Sequence, residues 1–315
     1  MPAGFRLSPR RVGLGLALEY DRILAVQTEI SSKGVVVTGV DEQILVRGTL
    51  EGGRIVDPVA ATEAFKEMKK RAKFSSKSAS VNIPAHFFTI KSFDVPKGYF
   101  SNRDILQWEM GQNLVPDTAE YRFSSVDVSD GKGETSIAIA SRADHVEERA
   151  GFVRNSGLEV NAVEPGILSI YNAMVLAYKD LPHRLLLVDV SAPYSYFALI
   201  EDGVFRPGGH VFTNQSIIVG ENGIREFSKD IRRAFELVFE IDEIILNQKS
   251  VDMVFLAGRY ADADHTEEFS KALRIPIFYK DIFGGSVLSS RVQSIEIPWH
   301  RIIKPLGLSL RTSRD

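Results

Sequence analysis

The chain has 315 residues, a net charge of −3 and no cysteine, with hydrophobic and charged fractions of 44% and 25%. These are the proportions of a soluble globular protein long enough for two lobes, each with its own core. The charge gives no electrostatic case for nucleic acid as the main partner, and the missing cysteines exclude disulfides, thiolate catalysis and cysteine metal sites.

No apolar run reaches the ~20 residues needed to span a bilayer. Residues 1–11 are basic, lack the apolar stretch of a signal peptide and read as a flexible lead-in. Residues 12–18 and 23–30 predict two strands, and 35–40 a third, from their branched and apolar content. Asp57-Pro58 supplies a cap and first-turn proline for a helix through Phe65, Met68 and Ala72. Residues 78–83 return to strand.

Residues 85–141 break this pattern. A strand-rich start is followed by a helix through Ile105, Trp108 and Gln112, then a hairpin over 121–128 and 135–140. They predict a small inserted α+β module. A helix over 144–155, a strand over 158–164 and a helix over 166–178 then complete the first half.

The second half repeats the first. Strands over 185–190, 196–200 and 204–212 precede a helix whose Ile224, Phe227, Ile231, Phe235 and Val238 share one face. Residues 251–257 predict a buried strand, 266–273 a helix and 275–279 a further strand. Meander, helix, strand, helix and strand, occurring twice, mark an internal duplication.

Asp189 ends the most apolar strand of the chain beside small turn residues, and with Ser191 it is a candidate for holding a hydrated cation or touching a phosphate. Its carboxylate could equally cap its own turn. Matching the outline of the first half places Gly15 opposite Asp189. Glu164, before Pro165 at a helix start, is a candidate for orienting a water or simply suits a helix N-terminus. Gly258 after a strand, and Gly208-Gly209, would admit a ligand close to the backbone, or serve only as turns. The six histidines are scattered, Gly13-Leu-Gly15 lacks the context of a dinucleotide loop, and no Walker-type loop or nucleophile elbow is present.

Leu14-Gly-Leu-Ala17, Asp189-Val-Ser191, Val163-Glu-Pro-Gly-Ile-Leu-Ser-Ile-Tyr171 and Leu256-Ala-Gly-Arg259 fall in the order of the phosphate, connecting and adenosine segments of the actin-like ATPase superfamily, which the chain resembles. Ser156-Gly-Leu158 and Leu306-Gly-Leu-Ser-Leu-Arg311 resemble segments of PilM-type type IV pilus assembly proteins, relatives of FtsA. The resemblance implies an α/β, ribonuclease H-like fold of duplicated βββαβαβ lobes. It places the first lobe in residues 12–84 and 142–182, the inserted subdomain in 85–141 and the second lobe in 183–315.

It also implies a cytoplasmic scaffold, peripheral at the inner membrane and not itself membrane-spanning. That scaffold supports a pilus or related secretion platform with other platform proteins. Its groove, between the first lobe and the inserted module, takes the N-terminal peptide of a PilN-like bitopic protein. Phe87, Phe88, Phe93, Tyr99, Phe100 and Trp108 make the module aromatic, either as a contact surface or as its core. The departures from the family pattern, Gly15, Ser191 and Arg259, point to a pseudo-ATPase with no catalytic residue beyond a vestigial Glu164, no metal, and ATP–magnesium at most a residual occupant. An active ATPase or small-molecule kinase, and a cytoplasmic component of type II secretion, are the rival readings.

Overall fold

The computed structural model describes residues 11–112, 114, 119–129, 134–213, 223–238, 251–261, 263–278, 282–283, 287–292 and 296–312. The lead-in before residue 11, the 130–133 hairpin turn and much of the stretch between His210 and Val251 lie outside the described residues.

β1 (Arg11–Glu19), β2 (Arg22–Ser31) and β3 (Gly34–Ile44) form the expected antiparallel meander. A small hairpin, β4 (Leu50–Glu51) and β5 (Arg54–Ile55), leads into α1 (Pro58–Ala72), whose Asp57 cap accepts from the Ala60 N–H at 2.9 Å. β6 (Ser78–Ile83) lies parallel to β1. The inserted module follows as β7 (Phe88–Phe93), α2 (Arg103–Gly111), β8 (Tyr121–Ser129) and β9 (Glu134–Arg142). Its three strands pair in the order β7-β9-β8, and Phe100, Leu106, Met110, Ala138 and Ala140 give it a core of its own. α2 is capped by Asn102, whose side chain accepts from the Asp104 N–H at 2.9 Å.

α3 (Ala143–Asn155), β10 (Glu159–Pro165) and α4 (Gly166–Ala177) close the first half. The second half repeats it with β11 (Arg184–Asp189), β12 (Tyr194–Glu201), β13 (Val204–Phe212), α5 (Gly223–Val238), β14 (Met253–Ala257) and α6 (Ala263–Leu273). The strand expected at 275–279 is reduced to a bridge between Ile277 and Val254. Period-two alternation divides the core of the second sheet. Leu185 and Leu187 face the middle of the molecule, while Leu186 and Val188 face outward to Phe227, Ile231 and Phe269 of α5 and α6.

The C-terminal segment departs from expectation. β15 (Leu288–Ser290) pairs in parallel with β3, giving the first sheet the order β10-β6-β1-β2-β3-β15. α7 (Trp299–Ser309) then lies against β1, β2, β6 and α4, with Ile302, Ile303 and Leu306 in the central core between the two sheets. β15 and α7 thus sit with the first sheet rather than the second.

The approach of α7 explains Gly13 and Gly15. A Cβ on Gly15 would lie 1.9 Å from the Pro305 carbonyl oxygen, one on Gly13 1.8 Å from that of Ser309, and one on Gly307 1.7 Å from that of Ser169. These glycines permit helix-on-sheet and helix-on-helix backbone contact and serve no phosphate. Gly15→Ala should therefore cost about 2–3 kcal/mol in urea unfolding, by overpacking against backbone. Gly151→Ala, in α3 with nothing within 4 Å, should be neutral or mildly stabilising. Equal effects of the two would contradict this packing.

Candidate functional site

β1 and β11 occupy equivalent places in the two halves. Each ends in an antiparallel turn to its neighbour and runs parallel to the crossover strand on its other side, β6 or β14. The residue that ends β11 is Asp189, and the residue that ends β1 is Glu19. The match of Gly15 to Asp189 is thus corrected: Gly15 lies inside the strand under α7, and Glu19 is the acid of the first half.

Lys304 of α7 stands between these acids. Its Nζ lies 2.5 Å from Glu19 Oε1 and 2.9 Å from Asp189 Oδ1, and it donates to Ser191 Oγ at 3.1 Å. The Ser191 hydroxyl donates in turn to Asp189 Oδ1 at 2.8 Å. All three charged side chains are buried. Burial pushes the Asp189 carboxyl up, and the ammonium opposes it. Burial also works against the ammonium, but Asp189 and Glu19 outweigh it and hold the Lys304 pKa above the ordinary amine range. Gly258 closes the corner at φ +97°, where a Cβ would meet Asp189 Oδ1 at 2.7 Å, and its N–H donates to the His300 carbonyl at 2.9 Å.

Phosphoryl transfer needs a divalent cation held by oxygen ligands beside the phosphates. These residues do not fit one. Both acids already share a fixed ammonium, and among the described residues no group of three or more His, Asp and Glu could hold a metal ion. What the cluster does is join the strand ends of the two halves through α7.

At the mouth, Arg259 pairs with Asp21 of the β1–β2 turn, and its guanidinium lies 5.4 Å from the Tyr260 ring centre and 5.9 Å from that of Tyr20. Asp21 also binds Arg22 Nε at 2.8 Å, Arg22 pairs with Glu42, and Glu42 with Arg301 of α7. Burial would raise the Asp21 carboxyl, but Arg22 and Arg259 hold it below the usual carboxylate range.

The structure brings Asp189, Ser191 and Gly258 together and separates the other candidates. Gly208 is the extra residue of a bulge, where a Cβ would lie 2.3 Å from the Phe197 carbonyl oxygen, and neither it nor Gly209 lines the cleft around Asp189. Gly208 is corrected to a packing glycine, while a Cβ on Gly209 would meet only ordinary contacts from 3.5 Å. Glu164 is also outside the cleft. Its carboxylate accepts from Arg311 Nε at 2.7 Å, burial pushing it up and Arg311 opposing. Of the aromatic candidates, Phe88 is buried against Tyr196 and Phe93 packs edge-on to Phe100, so both fill cores. Phe87 is half-buried and stacked on His145, while Trp108 is 66% exposed on α2.

Glu19 and Lys304 escaped the sequence reading, though each left a signal. Glu19 opens the polar turn between two apolar strands, the position Asp189 holds in the second half. Lys304 is the lone charge inside Ile302-Ile303-Lys304-Pro305-Leu306. A cation there must find a buried partner.

No protein-family profile matches the sequence, and no curated protein matches it. The structure is similar to a chain of a PilM–PilN type IV pilus biogenesis complex, with a TM-score of 0.78 and 16% identity over 96% of this chain and 99% of that one. It is also similar to a Bacteroides thetaiotaomicron VPI-5482 protein with actin-like ATPase fold and unknown function, with a TM-score of 0.54 and 11% identity over 95% of each chain. The expected actin-like ATPase fold is therefore present.

Removing the ammonium strands two buried carboxylates. Lys304→Met should cost about 3–5 kcal/mol at pH 7. Asp189, already raised by burial, is then pushed further above its unfolded value, so the variant fares best in acid and loses stability as the pH rises through the folded pKa. Its deficit against the wild type should grow as the pH rises above about 4, the unfolded carboxylate's pKa. A deficit independent of pH in denaturant titrations would refute the cluster.

Proposed function

We propose that this chain is a non-hydrolysing, actin-like scaffold of a type IV pilus or related secretion platform at the cytoplasmic face of the inner membrane. The observation that carries the non-hydrolysing part is Lys304, whose ammonium takes the place between two strand-end acids that a catalytic cation would need. Losing one member of such a constellation removes nearly all of its rate.

The platform reading is supported by the near-complete coverage of the PilM–PilN complex chain and by the inserted module in its expected place. Its partner in this reading is the N-terminal peptide of a PilN-like bitopic protein, held between the first lobe and the module. Peptide capture needs apolar pockets and backbone partners, which such a junction supplies without catalytic groups. Trp108 is the aromatic of the module most open to a partner. None of the helices is long and apolar enough to cross a membrane among the described residues.

Calorimetry with ATP–magnesium should show no saturable heat and no turnover. Turnover abolished by Asp189→Asn or Glu164→Gln would overturn the reading. A labelled N-terminal peptide of the PilN-like protein should bind the full chain, tenfold more weakly after Trp108→Ala and not at all after residues 85–141 are replaced by a short linker. Undiminished binding to the shortened chain would exclude the groove.

A further inference from the structure

The cleft that holds Lys304 encloses about 530 Å³, its open mouth included, and also reaches Gly53, Asn82, His86, Arg149 and Tyr194. Arg149 of α3 is 1% exposed. Its Nη2 donates to the Gly53 carbonyl, while Nε and Nη1 have no acceptor. The neighbouring carboxylates are committed elsewhere. Glu148 accepts from Arg54 Nε at 2.6 Å and from the Ile55 N–H at 2.9 Å. Asp144 lies 3.2 Å from Arg142 Nε and 3.7 Å from Arg54 Nη1. Neither carboxylate therefore reaches the Arg149 Nε or Nη1, which are left without an acceptor.

Burying a guanidinium with unpaired donors costs several kcal/mol, on the order of a broken buried ion pair. The local backbone is built to hold it there. Gly52 and Gly53, at φ +55° and +84°, turn successive carbonyls toward His86 and Arg149. His86 Nε2 lies 2.9 Å from the Gly52 carbonyl oxygen, which can only accept, so this nitrogen carries the hydrogen and Nδ1 is left without a partner. His86 and Arg149 therefore line one wall with polar atoms unspent. Burial lowers the Arg149 pKa to about 10, with Glu148 opposing and Arg54 adding to it, so the group is still a cation at neutral pH.

We propose that this end of the cleft binds a small oxyanion, of phosphate or carboxylate type, held by the Arg149 guanidinium. Such a ligand supplies acceptors for both unspent donors of the buried guanidinium. It requires neither a metal ion nor a membrane partner, so it stands or falls apart from the scaffold reading.

The test is calorimetric titration of the full chain with inorganic phosphate and, separately, with acetate, at constant ionic strength balanced by chloride. At least one should bind saturably at a single site, and the stronger of the two identifies the ligand class. Arg149→Met should weaken that binding tenfold or more, and Arg149→Lys, which keeps the charge but not the Nε–H, at least threefold. Should either variant fail to fold, the arginine Nε–H spectrum of the wild type provides the same answer: a slowly exchanging signal should shift along the calorimetric binding curve. Absence of saturation with both anions, unchanged affinity in a folded variant, or a spectrum indifferent to phosphate and acetate would each overturn the site.

Discussion

One ammonium group holds the two halves of this molecule in register. Lys304 reaches from α7 to Glu19 at the end of β1 and to Asp189 at the end of β11, all three buried. Such a cluster adds little net stability over an apolar trio of similar shape, because desolvating three charges offsets much of their attraction. The charges add directionality: moving α7 by one turn would leave two carboxylates buried without a cation. The glycines at 13, 15 and 307 belong to the same constraint, since only backbone-to-backbone contact brings the helix near enough for the lysine to reach. The outer chain of charges, Arg259, Asp21, Arg22, Glu42 and Arg301, repeats the theme at the mouth, where water weakens each pair but the alternation ties both halves to the β1–β2 turn.

Much of this architecture is legible in the sequence because it rests on local signals. Apolar alternation, the Asp57-Pro58 cap and the order of strands and helices mark both halves and the inserted module. The Asp189 turn announces itself through a fully apolar strand ending in an acid. The rest depends on contacts remote in sequence. Lys304 and Glu19 meet across 285 residues, and nothing near either one names the other. Gly15 misleads because a glycine in a strand, like one in a loop, serves wherever backbone comes close. Gly208 misleads in the same way, at a bulge over Phe197. Aromatic side chains carry no mark of their direction, so Phe88 and Phe93, inside, read the same as Trp108, outside.

The cleft joins two electrostatic regimes. Around Lys304 two buried acids share one ammonium, and all three groups are in close pairs. Around Arg149 two donors are left without an acceptor, on a group that cannot lose its proton under ordinary conditions. Side chains that close one half of a cavity while leaving the other electrostatically open divide it into a structural part and a receptive part.

The return of β15 and α7 to the first sheet also bears on the order of assembly. On the ribosome the strands of the first lobe emerge early, yet their edge partner and their inner helix come only after the whole second lobe. Until then β3 presents a bare edge, and Gly13 and Gly15 face no helix. Vectorial folding of the first half alone cannot complete it, because that half waits for residues made after the second sheet.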